Sequence, residues 1–171
     1  LAAEGYLADR EFRILKVTGE ATPQLTLLTT VDFDALTEFI PTRVVSDGRY
    51  AYVGGLEEDV GHGQEMPTLH IVDLEDPAQA SALGPGKMTN TVNEGLTFEI
   101  PAMTLIDKRL YMSVRAEAQG VEIINEILVF DVSDPQAVVE LKPISSPNGP
   151  VLVGLSETDG PLLPSGGYVY G

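Results

Sequence analysis

Ile127-Leu128-Val129-Phe130-Asp131-Val132-Ser133-Asp134-Pro135 decides the fold, because the chain carries nearly the same stretch once before, at Thr68-Leu69-His70-Ile71-Val72-Asp73-Leu74-Glu75-Asp76-Pro77. Laying Asp73 on Asp131 gives a shift of 58 residues. In both copies an apolar run reaches an Asp, one more apolar residue follows, and Asp-Pro closes the unit. Phe12-Arg13-Ile14-Leu15-Lys16-Val17 is a fainter third copy, 57 residues earlier when Lys16 is laid on Asp73. Ile40-Pro41 and Ile100-Pro101 repeat at a shift of 60. A fixed period of this size marks a repeat architecture, in which one supersecondary unit buries its faces against its neighbours.

Between these anchors the chain reads as short strands divided by turn residues. Gly5 to Asp9 and Phe12 to Val17 read as hairpin partners, followed by a strand at Leu25 to Thr30. Asp34 to Glu38 offers at most one helical turn. Thr42 to Ser46 and Tyr50 to Val53 flank Asp47-Gly48, a favoured hairpin turn because Gly accepts positive φ. Gly54 to Pro67 reads as an acidic loop, Thr68 to Leu74 as the third strand of the unit and Gln79 to Leu83 as the fourth. The next unit keeps that order: Ala102 to Ile106, Leu110 to Val114, a loop over Arg115 to Asn125, Ile127 to Val132, and Val138 to Leu141. Val151 to Leu155 and Tyr168 to Tyr170 begin a further unit around Ser165-Gly166-Gly167.

Serial four-stranded antiparallel units with no packed helix define an all-β chain, and they predict a β-propeller of which these 171 residues form about three blades. The expected division is a single partial propeller over 1–171, with an incomplete blade at 1–30, blades at 40–83 and 100–142, and the start of another at 150–171. A β-sandwich would not require the same Asp-x-x-Asp-Pro at a fixed period, and a β-solenoid has shorter repeats with fewer tight hairpins.

Leu69 to Pro77 and Leu128 to Pro135 resemble the signature of LVIVD-repeat propellers, and Asp47-Gly48-Arg49-Tyr50-Ala51-Tyr52-Val53 is similar to that family's second-strand segment. Gly149 to Gly154 is similar to the strand that follows Asp-Pro in the family, although it falls later here. The resemblance spans chiefly residues 42–83 and 102–141; Phe12 to Val17 departs from it, with Lys16 at the Asp position. It implies a propeller fold and a bacterial or archaeal protein of the cell surface or the secreted fraction. It carries no catalytic residues.

Composition bounds the function. Ten Lys and Arg stand against 26 Asp and Glu, a formal net charge of −16, and such a field repels phosphate backbones and anionic lipid. Nucleic-acid binding and membrane insertion are therefore not expected. With no cysteine there is no disulfide framework, thiolate metal site or cysteine nucleophile. No apolar run approaches the roughly 20 residues of a spanning helix. The opening Leu1-Ala2-Ala3-Glu4-Gly5 lacks an initiator Met and reads like an interior or processed end; an extracytoplasmic location is expected.

Few residues point to chemistry. Glu57, Glu58, Asp59 and Glu65 place four carboxylates within nine residues, a candidate for calcium, which takes several hard oxygen ligands; no other cofactor is expected. The competing reading of that segment is a solvated acidic loop. His62 and His70 are the only histidines, and no His-x-x-x-His pairs them. His70 stands where the other copy has Leu128, which predicts a packed or half-exposed strand residue. Asp73, Asp76, Pro77, Asp131, Asp134 and Pro135 are expected to be structural: the carboxylates accept backbone N–H groups of the turns and the prolines fix φ. The six tyrosines are expected to fill space between blades.

Three functions fit these residues: a non-enzymatic secreted or surface scaffold that engages a protein or glycan, an extracytoplasmic propeller enzyme with a channel metal, and an architectural subunit. An enzyme would place acidic or His residues of several blades around one axis, whereas Thr42 to Ser46 and Ala102 to Ile106 are mostly apolar. The first and last units lack strands. Either the remaining blades of a longer chain or identical subunits meeting head to tail would complete them.

Overall fold

The computed structural model describes residues 11–19, 22–33, 39–59, 64–88, 96–118, 121–144, 163–165 and 168–170, and every regular element among them is a β-strand. Among the described residues four antiparallel sheets follow one another along the chain. The first is a hairpin of β1 (Glu11–Thr18) and β2 (Gln24–Asp32). The second comprises β3 (Ile40–Ser46), β4 (Tyr50–Asp59), β5 (Gln64–Asp73) and two short pieces, β6 (Ser81–Ala82) and β7 (Lys87–Met88), that both pair with β5. The third runs β8 (Thr97–Glu99), β9 (Met103–Ile106), β10 (Arg109–Ala118), β11 (Val121–Asp131) and β12 (Val139–Ile144), with β8 and β9 both on the edge of β10. The fourth is a short hairpin, β13 (Leu163–Ser165) with β14 (Tyr168–Tyr170).

The repeat is visible in the register. Asp73 pairs with Ser81, and Asp131, 58 residues on, pairs with Val139, also 58 on. The first hairpins repeat at 59: the Asp47 amide donates to the Tyr50 carbonyl at 3.2 Å, Ile106 pairs with Arg109, and Ser165 pairs with Tyr168. This places the first turn at Gly48-Arg49, one residue later than Asp47-Gly48. Asp47 has a different task there: its Oδ1 accepts the amides of Arg49 (2.9 Å) and Tyr50 (2.7 Å), so the carboxylate caps the turn. In the next sheet the turn is Asp107-Lys108, both at positive φ (46° and 63°), the double left-handed geometry whose twist matches that of the strands.

The two segments expected to be loops are largely strand. Gly54 to Asp59 continues β4, Gln64 to Pro67 begins β5, and the two pair as far as Asp59 with Gln64. Likewise β10 runs to Ala118 and β11 starts at Val121. Phe12 to Val17 pairs with the strand that follows it. The proposed strands at Gly5 to Asp9 and Val151 to Leu155, and the turn at Asp34 to Glu38, lie outside the described residues.

Period-two alternation gives the second sheet two apolar faces, and each faces a different neighbour. Ala51, Val53 and Val72 are buried with Phe12, Ile14 and Val31 of the first hairpin. Tyr52, Leu69 and Ile71 are buried with Leu110, Met112 and Phe130 of the third sheet. Arg43 ties the second sheet to the third as well, its Nε donating to the Pro101 carbonyl at 2.8 Å.

Two glycines make this close packing possible. A Cβ on Gly54 would run into the sulfur of Met103. One on Gly55 would run into the Ile40 carbonyl and lie 2.6 Å from the Phe39 ring. The carbonyl belongs to a paired strand and cannot swing away, so Gly55→Ala is expected to destabilise the protein by about 1–3 kcal/mol through overpacking. Chemical denaturation of the variant checks this; an unchanged midpoint would show that β3 and β4 are not held as closely as described.

Candidate functional site

His70 and Glu57 form the polar centre of the described core. On β4 the residues Ala51, Val53, Gly55 and Glu57 alternate onto the face toward the first hairpin, and on β5 Thr68, His70 and Val72 do the same. Glu57 is 5% exposed and His70 2%, with Glu57 Oε2 at 3.4 Å from His70 Nε2. The imidazole is enclosed by aromatic rings, Phe39 at 4.4 Å and Phe33 at 4.8 Å between centroids. Gly86 closes the remaining side, since a Cβ there would meet the imidazole and the Thr68 methyl. Thr68 Oγ1 is satisfied by the Met66 carbonyl at 3.1 Å. A carboxylate beside an imidazole is the elementary general-base pair of many enzymes. Among the described residues the pair lies inside the core between the first hairpin and the second sheet.

The remaining acidic candidates are distributed by strand geometry. Glu58 and Glu65 stand opposite each other across β4 and β5, Glu58 half-buried and Glu65 exposed. Glu57 turns to the opposite face, as neighbouring strand residues must. Asp59 ends β4 opposite Gln64, and its side chain is outside the described residues, as is His62. Among the described residues no three His, Asp or Glu side chains converge on one point.

The six turn residues are brought together in two copies of one motif. Asp73 Oδ1 accepts the Glu75 amide and Asp131 Oδ1 the Ser133 amide, both at 2.9 Å. Asp76 Oδ1 accepts the Ala78 amide at 3.1 Å and Asp134 Oδ1 the Gln136 amide at 3.0 Å. A backbone bond closes each Asp-Pro turn, from Gln79 N to the Asp76 carbonyl (2.9 Å) and from Ala137 N to the Asp134 carbonyl (3.0 Å). Pro77 and Pro135 stand second in these turns, where a fixed φ is favoured and no amide is needed. The Ser133 hydroxyl and then its amide hold the Asp131 carboxyl below its ordinary range. Tyr52 joins the first turn of its sheet: its hydroxyl donates to Asp47 Oδ2 at 3.1 Å, and burial, followed by that carboxylate, raises the phenol above its usual value.

No protein-family model, curated protein or solved structure matches the chain.

Two outcomes test this assignment of roles. Glu57→Gln and His70→Leu, the latter giving the residue that the repeat carries at 128, each change a buried side chain of the core and are each expected to destabilise the protein by about 0.5–3 kcal/mol. The double variant should cost less than the sum, with a coupling of about 0.5–3 kcal/mol in a denaturation cycle; strict additivity would mean the two side chains do not interact. The Asp131 carboxyl is lowered in the folded state, so the folded protein binds fewer protons and stability rises with pH. The stabilisation is fully present above the unfolded value near 3.8 and is lost as pH falls through the lowered folded value. Asp131→Asn keeps an oxygen for the Ser133 amide but cannot titrate. Its melting temperature should therefore lie below that of the parent at neutral pH and converge with it in acid, and a gap independent of pH would refute the role of the charge.

Proposed function

We propose that the chain forms part of an LVIVD-like β-propeller that acts outside the cytoplasm as a non-enzymatic scaffold, presenting its turns and loops to a protein or glycan partner. The observation that carries this reading is the recurring motif itself. Its repeated polar residues, Asp73 with Asp76 and Asp131 with Asp134, are committed to backbone amides of their own turns. What recurs is therefore explained by architecture, and no ligand is needed to account for it. Sheets in series, with an apolar face turned to each neighbour, support the propeller reading. A net charge of −16 suits a partner that is neutral or cationic.

The enzyme alternative, with calcium as a channel metal, is separable by experiment. The purified chain is expected to bind members of an array of immobilised glycans and extracytoplasmic proteins, and to hydrolyse no lactone with or without added calcium. Calcium is expected to leave its melting temperature unchanged. Calcium-dependent lactone turnover, together with a calcium-induced rise in melting temperature that Glu58→Gln abolishes, would overturn the scaffold reading.

A further inference from the structure

The contact between Asp47 and Tyr52 is not part of the repeat. At the shift of 59 that relates the first hairpins, Tyr111 stands for Tyr52 but Ile106 stands for Asp47, so the aspartate is particular to the second sheet. It is followed by Gly48, and in an aspartyl-glycine pair no side chain shields the glycine nitrogen from the carboxyl carbon before it. Ser46, Asp47, Gly48 and Arg49 are exposed, and no atom lies within 4 Å of where a Cβ on Gly48 would stand. By residue type and exposure this peptide bond is open to cyclisation.

The reaction needs only the chain and water. The Gly48 nitrogen forms a bond to Asp47 Cγ while a Cγ–O bond breaks, and that oxygen leaves as water with the amide hydrogen and a proton from solvent. Water then reopens the five-membered imide at either carbonyl, and opening at the main-chain carbonyl gives isoaspartate. The product runs the backbone through the β-carbon. It lengthens by one atom the turn that joins β3 to β4, and it takes the carboxylate away from the groups that it caps.

The fold holds both reacting groups off that path. Asp47 Oδ1 accepts the amides of Arg49 (2.9 Å) and Tyr50 (2.7 Å), and Oδ2 accepts the Tyr52 hydroxyl at 3.1 Å. All three donors lie beyond Gly48 along the chain, so the carboxylate is drawn past the glycine nitrogen, and hydrogen bonds to an ionised group are the strong ones. The Gly48 amide donates instead to Ser46 Oγ at 3.0 Å, on the residue before the aspartate. Tyr52 is 1% exposed and packed in the core between the second and third sheets, so its ring cannot follow the carboxylate if it turns. We propose that Asp47-Gly48 is a site of isoaspartate formation that the folded chain keeps closed, Tyr52 fixing the carboxylate and Ser46 the amide. The core between two sheets thus guards the chemistry of a surface turn.

Isoaspartate can be read at this turn alone. Trypsin cuts after Arg43 and Arg49 and releases Val44–Arg49, which contains no other aspartate and is separate from the second aspartyl-glycine at Asp159-Gly160. Incubated at neutral pH well below its melting temperature, the folded parent should accumulate isoaspartate in this peptide more slowly than the same chain held unfolded in urea. A hydrogen bond to a charged group is worth about a factor of ten, so Tyr52→Phe should raise the folded rate by about that factor. Ser46→Ala, which frees a neutral donor, should raise it by less. Gly55→Ala destabilises the same sheet without touching the turn and should leave the rate at that of the parent. A folded parent as reactive as the unfolded chain would overturn the proposal. So would Tyr52→Phe and Ser46→Ala variants that both match the parent, or a Gly55→Ala variant accelerated as much as they are. Should Tyr52→Phe fail to fold, Ser46→Ala decides by the same comparison.

Discussion

A strand whose residues are apolar at both parities makes a sheet with no solvent side. Ala51, Tyr52 and Val53 are consecutive and all essentially buried, as are Leu69, His70, Ile71 and Val72. Such a sheet is stable only with an apolar surface on each face, and burial is worth about 25 cal/mol per Å² of apolar area on each side. This requirement shapes the molecule. It explains why the second sheet lies between two cores, why Gly54 and Gly55 have no side chain where neighbours approach, and why Arg43 reaches across to the Pro101 carbonyl. Four of the exposed apolar side chains among the described residues, Leu15, Val17, Leu25 and Leu27, lie on the face of the first hairpin away from the second sheet.

The turns hold each sheet to its length. The Asp73 and Asp131 carboxylates stand where β5 and β11 end and take the amide two residues on. The chain then reverses through Asp-Pro into a short outer strand. In the same corner the Leu74 amide donates to the Arg49 carbonyl at 2.7 Å and the Val132 amide to the Lys108 carbonyl at 2.9 Å, which fastens the end of the third strand to the first turn. Two turns distant in sequence thus form one polar corner at the same end of each sheet. These bonds lie near the surface and each contributes modestly, about 0.5–1.5 kcal/mol. Their larger effect is on register, because a slip of one residue would present the wrong parity to both cores at once.

The main strands of the second and third sheets, their order and the period were legible in the sequence because the repeat is written in side-chain types: apolar runs, Asp-Pro, and glycine or aspartate at turns; the short β7 and β8, which make five-stranded sheets of the expected four-stranded units, were not. Nor were the lengths of the long hairpins. Glu57, Glu58 and Asp59 have low strand propensity and read as a solvated loop, yet strand pairing carries β4 through them because Met66, Pro67 and Thr68 opposite are buried. The Glu57–His70 contact was hidden for the same reason. A carboxylate in an acidic run looks like surface, and only the alternation of a strand that was not expected there turns it inward. One signal did exist: His70 replaces the Leu128 of its copy, and a polar residue at a repeated core position calls for a polar partner.

That substitution also separates the two cores chemically. Toward the first hairpin the second sheet offers His70 and Glu57 beneath Phe33 and Phe39. Toward the third it offers Tyr52, Leu69 and the bare backbone of Gly54, into which Met103 fits. A chain of similar units could in principle dock any sheet on any other, and near-identical interfaces are where repeat proteins swap and misassemble. Were the Phe33–Phe39 surface presented to the third sheet instead, it would meet Leu128 at the position of His70 and gain nothing for the carboxylate. The two faces of the second sheet thus differ in chemistry although the units repeat: one carries a buried imidazole and carboxylate under aromatic rings, the other a thioether against bare backbone.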